Sequence, residues 1–187
     1  MMPIRVAGAA VEPVTLAELR GYLRLDPDDG GVEDALLLNL IAAARASLEA
    51  ETRRILVPGT WRVVLGGRPR DGLVPLPLSP LVALVRAGFC EADGSLVPFA
   101  PGLVALKPDR IEAPCLAIAA TLPEAAGRSL LIEVAAGYGG DGPALPPPLR
   151  LAVLRLAAAR YEHRGDESVS AAPDPAALAA PFRRLRL

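Results

Sequence analysis

Histidine is almost missing from this sequence: His163 is the only one in 187 residues. Cysteine is nearly as scarce, and Cys90 and Cys115 stand in no metal-type spacing. Metal centres draw on several Cys, His or carboxylate ligands, so no metal and no cofactor is expected. The cysteine pair allows one disulfide, but residues 1–10 carry no charged-then-apolar signal pattern that would supply a secretory context. Lysine is reduced to Lys107, with arginine supplying every other basic side chain. Aromatics make up 4 % of the chain against 52 % apolar residues, so the core is expected to be aliphatic and thin. No apolar run approaches the roughly 20 residues that a membrane span needs. The longest, 35–46, is interrupted by Asn39 and Arg45. These absences describe a soluble protein of the cytoplasm.

Catalytic signatures are absent as well. No serine sits in a Gly-x-Ser-x-Gly elbow, and His163 lies near the expected carboxyl end of a helix, where capping or pairing with the helix dipole accounts for it. Gly137, Gly139 and Gly140 follow a strand-like run, but Asp141-Gly142-Pro143 comes next in place of a helix with a basic residue. A structural turn fits better than a phosphate loop. The paired carboxylates Asp28-Asp29 and Glu33-Asp34 fall at a turn and at a helix start, where acids are locally favoured. Trp61 and Tyr138 are either interface anchors or the rare large fillers of an aliphatic core, the latter favoured for Trp61.

Net charge is −1, which argues against a broad nucleic-acid-binding face. Its distribution is uneven. Residues 1–56 hold six Arg against nine acids, whereas residues 150–187 hold seven Arg against four. Such opposed ends either arise by chance or attract copies of the chain head to tail, over distances limited by screening to roughly 8–10 Å.

The length suits one medium domain, or a small one carrying an insertion. Thr15 and Glu18 form a capping box before Leu16, Leu19 and Leu23 at helical spacing. A long helix is expected over 33–54, with Leu37, Ile41, Ala44 and Leu48 as its apolar stripe and Arg53 and Arg54 at its carboxyl end. Strand patterns follow at 60–65, 81–89, 96–99 and 130–135, with weaker ones at 103–106 and 115–119. Three prolines make 73–80 an extended edge segment. Pro146-Pro147-Pro148 then opens a helix to about His163, with Leu151, Leu154, Ala158 and Tyr161 as its expected face. Gly165 is placed to end it, and a polar loop and an apolar-basic tail follow. The expected fold class is α+β: a bundle of two amino-terminal helices and one long carboxyl-terminal helix, with a small antiparallel β module inserted. The boundaries are 1–56, 57–142, 143–165 and an extended tail, 166–187. The tail is the best interaction candidate. It docks either in a partner's groove or on its own domain.

Five stretches together carry a resemblance. They are Pro13-Val14-Thr15-Leu16-Ala17-Glu18-Leu19 with Leu23-Arg24-Leu25; the helix of 34–52 with its Leu-Ile-Ala-Ala-Ala-Arg core; Thr60-Trp61-Arg62-Val63; Gly137-Tyr138-Gly139 followed by Leu145-Pro146 and a helix to Tyr161-Glu162-His163-Arg164; and Leu-x-x-Pro-Phe-Arg over 178–183. In order and spacing the chain resembles the head–tail connector, or adaptor, proteins of tailed phages, including those of gene transfer agents. The proline-rich and alanine-rich β module departs from that pattern.

The resemblance implies a structural protein without catalysis, located in the neck of a phage-like particle and assembled in the bacterial cytoplasm. It implies a twelvefold homo-oligomeric ring beneath the portal protein, a further neck or tail protein (stopper or tail terminator) beyond it, and DNA passing without sequence-specific binding. The candidate portal-contacting residues are Phe182, Arg183, Arg184, Leu185 and Arg186; the candidate ring-interface residues are Arg53, Arg54, Arg155 and Arg160. Two alternatives come from other classes: a small nucleic-acid-binding regulatory module using the basic tail, and a hydrolase or transferase using His163.

Overall fold

A computed structural model describes residues 2–8, 11–26, 30–125, 127–164 and 175–184. The chain divides into two compact units, and each is discontinuous in sequence. Unit 1 comprises Met1–Ala9 and Pro58–Pro143; unit 2 comprises Ala10–Val57 and Ala144–Leu187.

Among its described residues unit 1 holds eight strands: β1 (Ile4–Ala7), β2 (Gly59–Leu65), β3 (Leu73–Pro75), β4 (Leu81–Cys90), β5 (Leu96–Pro98), β6 (Val104–Leu106), β7 (Cys115–Ile118) and β8 (Ser129–Ala136). They form a five-stranded sheet in the order β1-β2-β8-β4-β5 and a three-stranded sheet in the order β3-β7-β6. Every pairing is antiparallel. Alternation along β8 sends Leu130, Ile132, Val134 and Ala136 into the core, and Val63 of β2 joins them opposite Ile132. Val74, Leu116, Ile118 and Val104 form the buried face of the smaller sheet. Phe89 and Phe99 meet edge to face at 4.8 Å, with the Arg128 guanidinium 4.0 Å from the centre of the Phe89 ring. Trp61 is half-buried rather than fully in the core, whereas Tyr138 is buried. Prolines confine β3 to three residues at an edge of its sheet.

The amino-terminal strand differs from expectation. Residues 4–7 do not belong with the helices; they pair with β2, Ile4 opposite Arg62. Ile4 and Val6 remain exposed, so no buried alternation marks the segment as a strand.

Unit 2 holds α1 (Leu16–Leu23), α2 (Asp34–Thr52), α3 (Pro147–Glu162) and α4 (Pro175–Ala179), followed by a 3₁₀ turn, Ala180–Phe182. The capping box forms as expected. Glu18 N–H donates to Thr15 Oγ1 at 3.2 Å, and Thr15 N–H donates to Glu18 Oε2 at 2.9 Å. In α2 the stripe of Leu37, Ile41, Ala44 and Leu48 is buried and packs against α3. The buried face of α3 matches the expected one only at Ala158. Leu149, Ala152, Val153, Ala157 and Ala158 are covered, while Leu151 is exposed and Tyr161 only partly buried. Alanines make this contact because α3 packs against both α2 and α4. Small side chains permit close approach from two sides. The expectations for Asp28-Asp29, Gly165 and most of the loop expected over 166–175 lie outside the described residues, and Pro175 opens α4 instead of ending that loop.

Candidate functional site

In unit 2, α2 ends at Thr52, and Arg53 takes the left-handed conformation at φ 56°, its N–H donating to Glu49 O at 2.8 Å. A helix leaves its last carbonyls without intrahelical donors. One of these is Thr52 O, which accepts the N–H of Arg184 at 3.1 Å. The Thr52 hydroxyl turns back to Leu48 O at 2.6 Å and also accepts Arg54 N–H at 3.3 Å. The Arg54 side chain then reaches the terminal segment, Nε donating to Phe182 O at 2.9 Å. Arg183 completes the seam by pairing with Glu51. Ala179 is fully buried ahead of the 3₁₀ turn.

The described part of the tail is therefore helical and docked on its own unit, not extended. Proline at 175 and at 181 explains the form: each suits a first helical turn, and the second cuts α4 short.

The arginines singled out in the sequence separate into two kinds. Arg54 is only 3 % exposed and lies under the terminal segment. Arg160 donates to Ser47 Oγ at 2.7 Å across the α2–α3 contact. Arg53 and Arg155 are exposed. Phe182 and Arg184 are half-buried and Arg183 is exposed, while Leu185 and Arg186 lie outside the described residues. The five described members of these two sets other than Arg155 and Arg160, namely Arg53, Arg54, Phe182, Arg183 and Arg184, come together at the carboxyl end of α2.

Further arginine pairs tie the helices of unit 2. Arg20 of α1 meets Asp34 of α2 at 2.5 Å, and Arg45 bridges Glu12 at 2.7 Å and Glu49 at 2.8 Å. Glu18 pairs with Arg150 of α3, and Glu33 takes both Arg164, at 2.6 Å, and the Tyr161 hydroxyl. The Thr15 amide, with Arg150 next, holds the Glu18 carboxyl at about 2, well below the ordinary 4.5. Partly exposed pairs each contribute little stability, about 0–1 kcal/mol. Their effect here is to fix which helix faces meet.

Unit 1 contains a charged group that no local motif announces. Glu133 sits on the central strand β8, directly opposite Arg62 of β2 on one side and Arg86 of β4 on the other. Arg86 Nε lies 2.6 Å from Oε2, and Arg62 Nη2 lies 2.8 Å from Oε1. Arg86, reinforced by Arg62, pulls the carboxyl down to about 2 against the opposing effect of burial. The three residues stitch three strands together on the sheet face opposite the core.

Among the described residues no group of three or more His, Cys, Asp or Glu is placed to hold a metal. His163 terminates α3, its N–H donating to Ala159 O at 3.0 Å. Cys90 and Cys115 are free thiols. Among the described residues no helix is long and apolar enough to cross a membrane.

No protein-family model matches the chain, and no curated protein sequence matches it. Solved structures do. A chain from the neck of an empty gene transfer agent (GTA) particle, computed with C6 symmetry, shares 33 % identity at a TM-score of 0.86, covering 100 % of this chain and 97 % of that one. A chain from the virion of a native GTA particle shares 32 % at 0.83, and one from the neck of a native GTA particle, computed with C12 symmetry, shares 30 % at 0.77, with the same coverage.

Proposed function

Because the chain belongs to the family of gene transfer agent neck proteins, we propose that it is the head–tail connector (adaptor) of such a particle. Copies close into a twelvefold ring beneath the portal, the ring receives a stopper or tail terminator protein on its other side, and DNA passes through without sequence-specific contact. The role is structural, with no turnover. The observation that carries this reading is the likeness to neck chains along the whole chain, which includes both units and the terminal segment.

The particular residues support the reading in different ways. Phe182 and Arg183 belong to a segment held on unit 2 by Arg54 and Thr52, which supports their candidacy as a contact for the portal. Arg184, Leu185 and Arg186 continue that segment. Exposed Arg53 and Arg155 are available to neighbouring copies. Arg54 and Arg160 act indirectly by holding the surfaces that carry them. A ring requires unlike surfaces to meet, but the acidic amino-terminal and basic carboxyl-terminal stretches do not supply them, because Glu18, Glu33 and Glu51 pair with Arg150, Arg164 and Arg183 inside unit 2. The nucleic-acid-binding alternative gains no support, since Arg183, one of its three basic residues, already pairs with Glu51.

The test is electron microscopy of particles from a producing strain lacking this gene. Heads and tails that are both present but unjoined are expected. Normal tailed particles would overturn the reading.

A further inference from the structure

A helix on a protein surface ordinarily turns charged side chains to water. Helix α2 does not. Between Asp34 and Glu49 its only charged residue is Arg45, which is directed at Glu12 and Glu49 within its own unit. The side opposite the buried stripe shows Ala35, Leu36, Leu38, Ala43, Ala46 and Ala50, with Asn39 as its polar member. Leu38 is 48 % exposed and Leu36 36 %. Val32, just before the helix, is 84 % exposed. The lack of charge belongs to this face alone, since α3 in the same unit places Arg150, Arg155 and Glu162 on its exposed side.

The chemistry of this face excludes two classes of occupant. It carries no cation to meet phosphate, so it does not receive DNA. It lacks the Lys and Arg rim that holds an amphipathic helix at a lipid surface. An uncharged face of leucine and alanine fits an apolar protein surface, and the alanines allow a second element to approach to about 8–10 Å between axes if it is a helix.

We infer that the outward face of α2 is one half of the contact between successive copies of this chain. The inference rests on the neck assignment. The similar chains come from necks computed with C6 and C12 symmetry, and in a cyclic assembly the protein beside each copy is another copy. The contact is heterologous, so α2 meets a different surface of its neighbour. With 19 residues at 1.5 Å each the helix is about 28 Å long. Its single face falls short of the ~800 Å² per partner of a standard interface. It forms the apolar centre, and polar surface forms the rim.

A photo-reactive phenylalanine analogue placed at Leu38 tests this in purified particles, with the same analogue at Asp93 in the β4–β5 turn as comparator. The expected product from Leu38 is an adduct of twice the 19.5 kDa chain mass, containing peptides of this chain alone, and at least tenfold stronger than from Asp93. An adduct to another neck protein, equal yield from Asp93, or no adduct would overturn the inference while leaving the neck role standing. Absence of the chain from purified particles would overturn both. Ala46→Arg provides a second reading. Its purified chain should unfold at the wild-type temperature, while joined particles should fall at least tenfold. Joined particles at wild-type number would count against the α2 contact.

Discussion

Arg54 donates from Nε to the main-chain oxygen of Phe182, 128 residues further along the chain, at 2.9 Å. A side chain at the end of one helix thereby fixes the course of the terminal segment. Arg54→Ala should remove this bond and leave Phe182 O short of a donor in a half-buried setting. The loss is expected to be about 1–3 kcal/mol, the range for leaving a buried acceptor without its donor. Denaturant midpoints read the stability. Hydrogen exchange reads the location: the Arg184 amide, bonded to Thr52 O, should lose protection, while amides of β8 should not.

Acid should weaken both units through two carboxyls. Glu133 and Glu18 each titrate near 2 in the folded chain against an ordinary 4.5. A depressed folded value stabilises the ionised form, so the contribution is complete above about pH 4.5 and is lost progressively as the pH falls towards 2. Thermal unfolding measured from pH 6 to pH 2.5 should show this decline. Glu133→Gln should flatten it and, at neutral pH, lower the unfolding midpoint by leaving Arg62 and Arg86 facing each other without an anion.

Leu37→Ala removes a fully buried side chain from the α2 stripe. The expected cost is about 2–5 kcal/mol, the range for Leu→Ala in a close-packed core. Urea unfolding followed by circular dichroism at helical wavelengths is the measurement, and the value should fall high in the range because alanines on α3 cannot expand into the gap.

Gly88→Ala should disturb the β4–β5 hairpin. An added Cβ would lie 2.4 Å from Val97 O and 2.9 Å from Leu96 Cδ1, so backbone has to move. Overpacking of this kind costs about 1–3 kcal/mol. The Phe99 amide, bonded to Ala87 O at 2.9 Å, should exchange faster in the variant.

Much of the helical unit was legible in the sequence because its signals are local. Thr15 and Glu18 are three residues apart, and the stripe Leu37, Ile41, Ala44 and Leu48 repeats at helical spacing with large side chains. The face of α3 was read correctly only at Ala158, because alanines supply three of its five buried residues and alanine marks neither a core nor a surface. Residues 4–7 escaped notice because Ile4 and Val6 are exposed on a strand held by pairing rather than by burial. The terminal helix is five residues long, too short for periodicity to register. Glu133, Arg62 and Arg86 belong to one group only through strand register, across separations of 71 and 47 residues. No short-range pattern can show that. The carboxyl-terminal segment and the end of α2 were each visible in the sequence, at Phe182 to Arg186 and at Arg53 and Arg54, but nothing local paired them with one another.

The amino-terminal strand has a consequence for how the chain is made. β1 ends at Ala7 and β2 begins at Gly59, with Arg5 Nη2 on Pro58 O at 3.0 Å, so the two strands adjoin as the arms of a hairpin would. Residues 10–57 are an excursion from that hairpin. A nascent chain therefore synthesises α1 and α2 early, yet α3, which covers their apolar stripe, begins only at Pro147. Unit 1 can close once residue 143 has left the ribosome. The helical unit, begun before β2 exists, is completed only by the segment that follows unit 1, from Ala144 onward.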